Sequence, residues 1–118
     1  MKKVLVVDDD PINRKVAREA LSIYSHEVIE AKNGEESIIM AKTLIPDVIL
    51  MDIQMPGIDG TEAMKKIRDQ PGLNKIPIIA ITAYAMKGDR EKLLNEGFSG
   101  YISKPVSIRE LLKLVESL

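Results

Sequence analysis

Five polar side chains stand where apolar runs end: Asp8 and Asp9 after Val4–Val7, Asp52 after Val48–Met51, Thr82 after Ile78–Ile81 and Lys104 after Tyr101–Ser103. They offer three carboxylates, a hydroxyl and an ammonium. Brought to one place, the carboxylates would repel each other by roughly 4 kcal/mol per pair at 4 Å and an effective dielectric near 20. Such a group calls for a cation. Hard oxygen ligands suit Mg²⁺, which keeps several waters and commonly uses one or two carboxylates together with a phosphate oxygen. With the Lys104 ammonium added, three negative charges face a divalent ion and one positive side chain. This near-balance can receive an anionic group, and a phosphoryl group is the natural candidate.

The elements that would gather these residues are readable from periodicity. Strand-length apolar runs occur at Val4–Val7, Val48–Met51 and Ile78–Ile81, with weaker ones at Val28–Ala31 and Tyr101–Ser103. Between them lie helically spaced apolar sets: Ile12, Val16 and Ala20; Ile38, Ala41 and Ile45; Met64 and Ile67; Leu93 and Leu94; and Ile108, Leu111, Leu112 and Val115. Each set is expected to face inward. Asp10-Pro11 supplies an N-cap and a first-turn proline, Asp59-Gly60-Thr61-Glu62 opens the third helix, and Ser107 with Glu110 has capping-box register before the fifth. Strands alternating with helices require right-handed crossovers, hence a parallel sheet covered on both faces. The expected class is a doubly wound α/β domain with five strands and five helices. Parallel strands place all five polar positions on the carboxyl edge, where open α/β sheets bind their ligands.

The whole chain sets further bounds. Its 118 residues, 45% of them hydrophobic, suit one domain, expected over 1–118, and Asp69–Asn74 reads as a surface connection rather than a boundary. Seventeen Lys and Arg against 18 Asp and Glu, with a formal charge of -1 and no basic run, do not point to nucleic acid or to a membrane surface. The absence of cysteine excludes disulfides and thiolate chemistry. Only four apolar residues separate Met1-Lys2-Lys3 from Asp8, too few for a signal peptide or a membrane span, so a cytoplasmic protein is expected. His26 is the one histidine; it precedes the second strand, on the edge opposite the carboxylates, and reads as an exposed turn residue.

The motifs Val6-Val7-Asp8-Asp9-Asp10, Leu50-Met51-Asp52-Ile53-Gln54-Met55-Pro56-Gly57-Ile58-Asp59-Gly60, Ile81-Thr82-Ala83 and Gly100-Tyr101-Ile102-Ser103-Lys104-Pro105 occur in order across the chain. Together they resemble the receiver domains of two-component response regulators, the CheY-like superfamily. The resemblance implies the flavodoxin-like strand order 2-1-3-4-5, which periodicity alone does not supply. It implies that Asp52 is the phosphorylated nucleophile, taking its phosphoryl group from a phosphohistidine of a histidine kinase or a histidine phosphotransfer protein. Asp9, Asp52 and the backbone carbonyl of Gln54 would hold Mg²⁺, with Asp8 acting indirectly. Thr82 and Lys104 would contact the phosphoryl oxygens, and Thr82 and Tyr101 would carry the switch to a partner-binding surface on the fourth helix, fifth strand and fifth helix. The Lys104-Pro105 bond is expected to be cis. Gln54 and Tyr84, two residues beyond Asp52 and Thr82, are expected to tune the lifetime of the phosphoryl group. Such a protein is a signalling switch that catalyses only its own phosphorylation and dephosphorylation.

Bland readings compete at single positions: Asp10 as a helix cap, Thr82 as a strand-end hydroxyl, Tyr101 as edge packing, Lys104 as a solvated lysine. The main enzymatic alternative is a small haloacid-dehalogenase-like phosphatase with Asp8 as nucleophile, since Asp8-Asp9-Asp10 contains an Asp-x-Asp; the usual following Thr is replaced by Ile12. A flavodoxin is disfavoured by the carboxylates and by an aromatic content of 3%.

Overall fold

Every apolar run becomes a strand in the computed structural model, which describes residues 1–83 and 89–118. The strands are β1 (Lys3–Val7), β2 (Glu27–Ala31), β3 (Val48–Asp52), β4 (Ile78–Thr82) and β5 (Gly100–Ser103), and they alternate with α1 (Pro11–Ile23), α2 (Gly34–Leu44), α3 (Gly60–Arg68), α4 (Asp89–Glu96) and α5 (Ile108–Ser117). All pairings are parallel, in the order β2-β1-β3-β4-β5. This is the doubly wound, flavodoxin-like arrangement expected. The unbroken apolar strands β3 and β4 are buried along their whole length because helices cover both faces.

On one face, Ala41 of α2, Ala63, Met64 and Ile67 of α3, and Leu93 of α4 pack on Leu5, Ile49, Met51 and Ile78. On the other, Leu21 of α1 and Leu111 and Val115 of α5 pack on Val4, Val6, Leu50, Ile79 and Ile102. The expected caps are present: the Asp10 side chain accepts from the Ile12 amide at 2.9 Å, Asp59 from the Glu62 amide at 2.9 Å, and Ser107 from the Glu110 amide at 3.3 Å. The Lys104-Pro105 peptide is cis. No helix among the described residues is long and apolar enough to cross a membrane.

Some inward-facing expectations fail. Ile12 and Val16 are 70% and 48% exposed, because α1 turns Ala17 and Leu21 to the sheet, and Val16 borders the gap to α5. Ile108 borders the same gap and is exposed. Ile45 is exposed because it lies past the end of α2 as a left-handed C-cap. Adjacent helix positions point about 100° apart, so Leu93 is buried while Leu94 is exposed. His26 is the largest correction. It is buried rather than exposed, with Nδ1 accepting from the Lys2 amide at 3.1 Å and Nε2 3.5 Å from Glu116 Oε1. A tight turn through Ser25, at φ 66°, tucks the ring between β1 and the end of α5. Its placement on the amino edge of the sheet is as expected. Tyr84 lies outside the described residues.

Candidate functional site: an acidic carboxyl edge

β1 and β3 are neighbours, with Val7 opposite Met51, so the residues that follow them emerge side by side. Asp8, Asp9 and Asp52 each present a carboxylate oxygen within 4.8 Å of one another. Asp8 is held in place: its Oδ1 accepts from the Asp10 amide at 2.9 Å, its Oδ2 from the Asn13 side chain at 3.2 Å, and its backbone carbonyl from Arg14 Nη1 at 2.7 Å. Asp9 is exposed, whereas Asp52 is 1% exposed. Neither Asn13 nor Arg14 was singled out in the sequence. Their signal was position alone, one helical turn beyond the acids.

β4 lies against β3 with Ile81 opposite Asp52, and β5 lies against β4 with Ser103 opposite Thr82. That register brings Thr82 and Lys104 to the same rim. Lys104 Nζ lies 3.1 Å from Asp52 Oδ1, and the Gln54 amide donates to the same oxygen at 3.2 Å. Two donors on one oxygen fix the rotation of the carboxylate. The Gln54 side chain spans to the next loop, its Nε2 donating to Thr82 Oγ1 at 3.2 Å and its Oε1 accepting from the Ala83 amide at 3.4 Å. Tyr101 is half-buried against the α4-side core, opposite Ala80. Asp8, Asp9, Asp52, Gln54, Thr82 and Lys104 are therefore contiguous, with Tyr101 on the strand that carries Lys104.

Gly60 keeps this geometry possible. A Cβ there would stand 2.2 Å from the Asp52 carbonyl oxygen, so only glycine lets the start of α3 close against β3, with the Gly60 amide donating to Ile53 at 3.0 Å.

The electrostatics match the crowding. Burial pushes the Asp52 carboxyl up from 3.8 to about 6; the charge of Asp8 pushes the same way, and the Lys104 ammonium and the Gln54 amide pull against it. A buried carboxylate held ionised beside another is an unfavourable arrangement that a hard cation relieves. The all-oxygen donor set fits Mg²⁺.

The chain matches the family model described as response regulator receiver domain over residues 4–116. It is 40% identical over 116 residues to the polar-differentiation response regulator DivK of Brucella anthropi, covering 98% of this chain and 94% of that protein. Among solved structures it superposes on the Vibrio cholerae chemotaxis protein CheY4 with a TM-score of 0.92 and 31% identity, covering 99% and 98% of the two chains. It also superposes on the receiver domain of the Pseudomonas aeruginosa sensor histidine kinase PA1611, with a TM-score of 0.89 and 34% identity over 98% and 95% of the chains; that structure has a magnesium ion coordinated in its active-site cleft. The dehalogenase-like alternative falls with these matches, and Asp8 has both carboxylate oxygens engaged by donors of its own chain. With its order 2-1-3-4-5 sheet and its acids on the carboxyl rim, the chain belongs to the receiver-domain family of two-component response regulators.

Proposed function

We propose that Asp52 is the phosphoacceptor. One of its oxygens attacks the phosphorus of a phosphohistidine on a histidine kinase or phosphotransfer protein; the P–N bond breaks, an O–P bond forms, and the donor imidazole leaves with the bonding electron pair. Asp9, Asp52 and the Gln54 backbone carbonyl are the residues that would hold Mg²⁺, with Asp8 acting indirectly. A bound ion supplies charge neutralisation for the acids and the incoming group. Lys104 neutralises the transferred oxygens and Thr82 donates to one of them. Movement of the Thr82 loop, followed by the Tyr101 ring, changes the surface of α4, β5 and α5 for a downstream protein partner. The domain, over 1–118, acts as a cytoplasmic signalling switch, without nucleic acid or membrane contact, and performs no chemistry beyond its own phosphorylation and dephosphorylation.

One observation carries this reading: a nearly inaccessible carboxylate is held 3.1 Å from an ammonium and within 4.8 Å of two further acids, in a family of receivers. A buried carboxylate serving structure alone would find a closer balance of charge. The donor's approach has room. An open cleft of about 290 Å³ between α1 and α5, lined by Val16, Pro105, Ile108 and Leu111, runs up to Asp8 and Lys104. Its exposed apolar rim suits a partner helix presenting a histidine.

The test is incubation with acetyl phosphate with and without Mg²⁺, followed by intact mass and peptide mapping. One phosphoryl group should appear on Asp52, only with the metal, and none on the Asp52→Asn variant. Labelling of Asp8, or metal-independent labelling, would overturn the proposal.

A further inference from the structure

We infer that the Gln54 side chain is a latch that holds the Thr82–Ala83 junction in the unmodified protein and lets go of it when Asp52 is phosphorylated. This rests on the phosphoacceptor reading for its second half only. The latch is a pair of bonds from a single planar amide. Nε2 donates to Thr82 Oγ1 at 3.2 Å, and Oε1 accepts from the Ala83 amide at 3.4 Å. The anchor at the other end is the Gln54 backbone amide, which donates to Asp52 Oδ1 at 3.2 Å. One residue thus joins the nucleophile to the end of β4.

The bond to Oε1 occupies a donor that a new anion would seek, the Ala83 amide. A phosphoryl group on Asp52 brings oxygens that accept strongly charged hydrogen bonds, whereas a carboxamide offers neutral ones of about half that strength. The Thr82 hydroxyl and the Ala83 amide are donors at the end of the strand next to Asp52, whose register places Ile81 opposite Asp52. When the junction turns to the phosphoryl oxygens, the Ala83 amide cannot remain on Gln54 Oε1, so the two arrangements exclude each other. Gln54 is exposed, and its amide can be taken up by water when released. The side chain is therefore a positioning residue that favours the unmodified state, an assignment distinct from the ligand role of its backbone carbonyl. β5 is tied to the same strand end, since the Lys104 amide donates to the Thr82 carbonyl at 2.8 Å.

The test compares wild type, Gln54→Met, which keeps length without either hydrogen bond, and Gln54→Glu, which keeps the acceptor for Ala83. Amide exchange and ¹H–¹⁵N shifts are followed in unmodified protein and after treatment with acetyl phosphate and Mg²⁺. In unmodified protein, Gln54→Met should speed exchange at Ala83 by about five-fold, equivalent to about 1 kcal/mol, and move the Thr82 and Ala83 resonances toward their positions in phosphorylated wild type. Gln54→Glu should restore protection at Ala83. In wild type, phosphorylation should shift the Gln54 side-chain NH₂ pair. Unchanged Ala83 exchange in Gln54→Met, or a Gln54 NH₂ pair indifferent to phosphorylation, would overturn the latch. If acetyl phosphate labels nothing, the phosphoacceptor reading fails, while the unmodified comparison still decides whether the bonds hold the junction; a thermal melt of each variant separates latch loss from misfolding.

Discussion

The two rims of the sheet are built on opposite terms. At the amino rim polar groups are consumed within the chain: the Lys3 amide donates to Asp47 at 2.7 Å, Lys3 Nζ to the Leu44 carbonyl at 3.1 Å, and the Lys2 amide to His26 at 3.1 Å. The one orphan among the described residues is His26 Nε2, which faces Glu116 at 3.5 Å. At the carboxyl rim, charges of one sign are crowded together and the most buried of them is pushed away from its ordinary pKa. The strands joining the rims are continuous, so the difference lies in what the loops supply. Loops at the amino rim close hydrogen bonds; loops at the carboxyl rim hold three carboxylates in place with only partial neutralisation by Lys104. Stability is given up at the carboxyl rim to keep that rim ready, and the amino rim helps to offset it.

Lys104 breaks this contrast most sharply. Lys104→Met keeps the stem and removes the charge, and we expect phosphorylation by acetyl phosphate to slow by roughly 100-fold or more, the scale for losing a preorganised electrostatic donor; initial rates by intact mass check it. A structural control at the amino rim, in the loops that lead into β4 and β5, is Arg68, whose half-buried guanidinium reaches the Gly97 carbonyl at 3.2 and 3.0 Å, Asn74 at 3.1 Å and Ile76 at 2.6 Å. Burial lowers its pKa, and it ties α3 to the loops around β4 and β5. Arg68→Ala strips those carbonyls of their donor and should cost about 3 kcal/mol in urea unfolding, with the labelled residue unchanged.

The cost of the carboxyl rim can be read from pH. The Asp52 carboxyl is raised from 3.8 to about 6 on folding, so between those values the folded state holds a proton that the unfolded state has lost. Its contribution to stability is therefore greatest below the unfolded value, declines as pH rises through the window and is lost above the folded value. At neutral pH without divalent ions, Asp52→Asn should be more stable than wild type by up to about 3 kcal/mol, and the advantage should shrink toward pH 4. Chemical denaturation across pH in chelated buffer measures this. The smallest effect is also at the amino rim, where His26→Ala removes the acceptor for the Lys2 amide and should cost about 1–2 kcal/mol, with phosphorylation rate unaltered. A rate that fell with it would show the rims to be coupled.

Much of the fold and site was legible, and the gaps have physical causes. Strands β3 and β4 announce themselves because burial on both faces makes them uniformly apolar, and the caps Asp10, Asp59 and Ser107 are local signals. Convergence of Asp8, Asp9, Asp52, Thr82 and Lys104 follows from parallel strands. The strand order came from the family resemblance, since alternation alone leaves several orders open. Ile12 and Val16 misled because periodicity marks an apolar face without saying whether the sheet or a neighbouring gap meets it. His26 misled because its burial depends on the end of α5, far away in sequence. The Gln54 bridge depends on where β4 lies relative to β3, which no local pattern encodes.

The central claim is that residues distant in sequence form one cation-binding and phosphoryl-accepting site on the carboxyl rim. Titrating Mg²⁺ into ¹⁵N-labelled protein tests it directly. Amides of residues 8–10, 52–54, 82–83 and 104 should shift together with one shared Kd, and Asp9→Asn should weaken that Kd at least ten-fold. Shifts with unrelated midpoints, or a response confined to residues 8–10 and indifferent to Asp9→Asn, would contradict it.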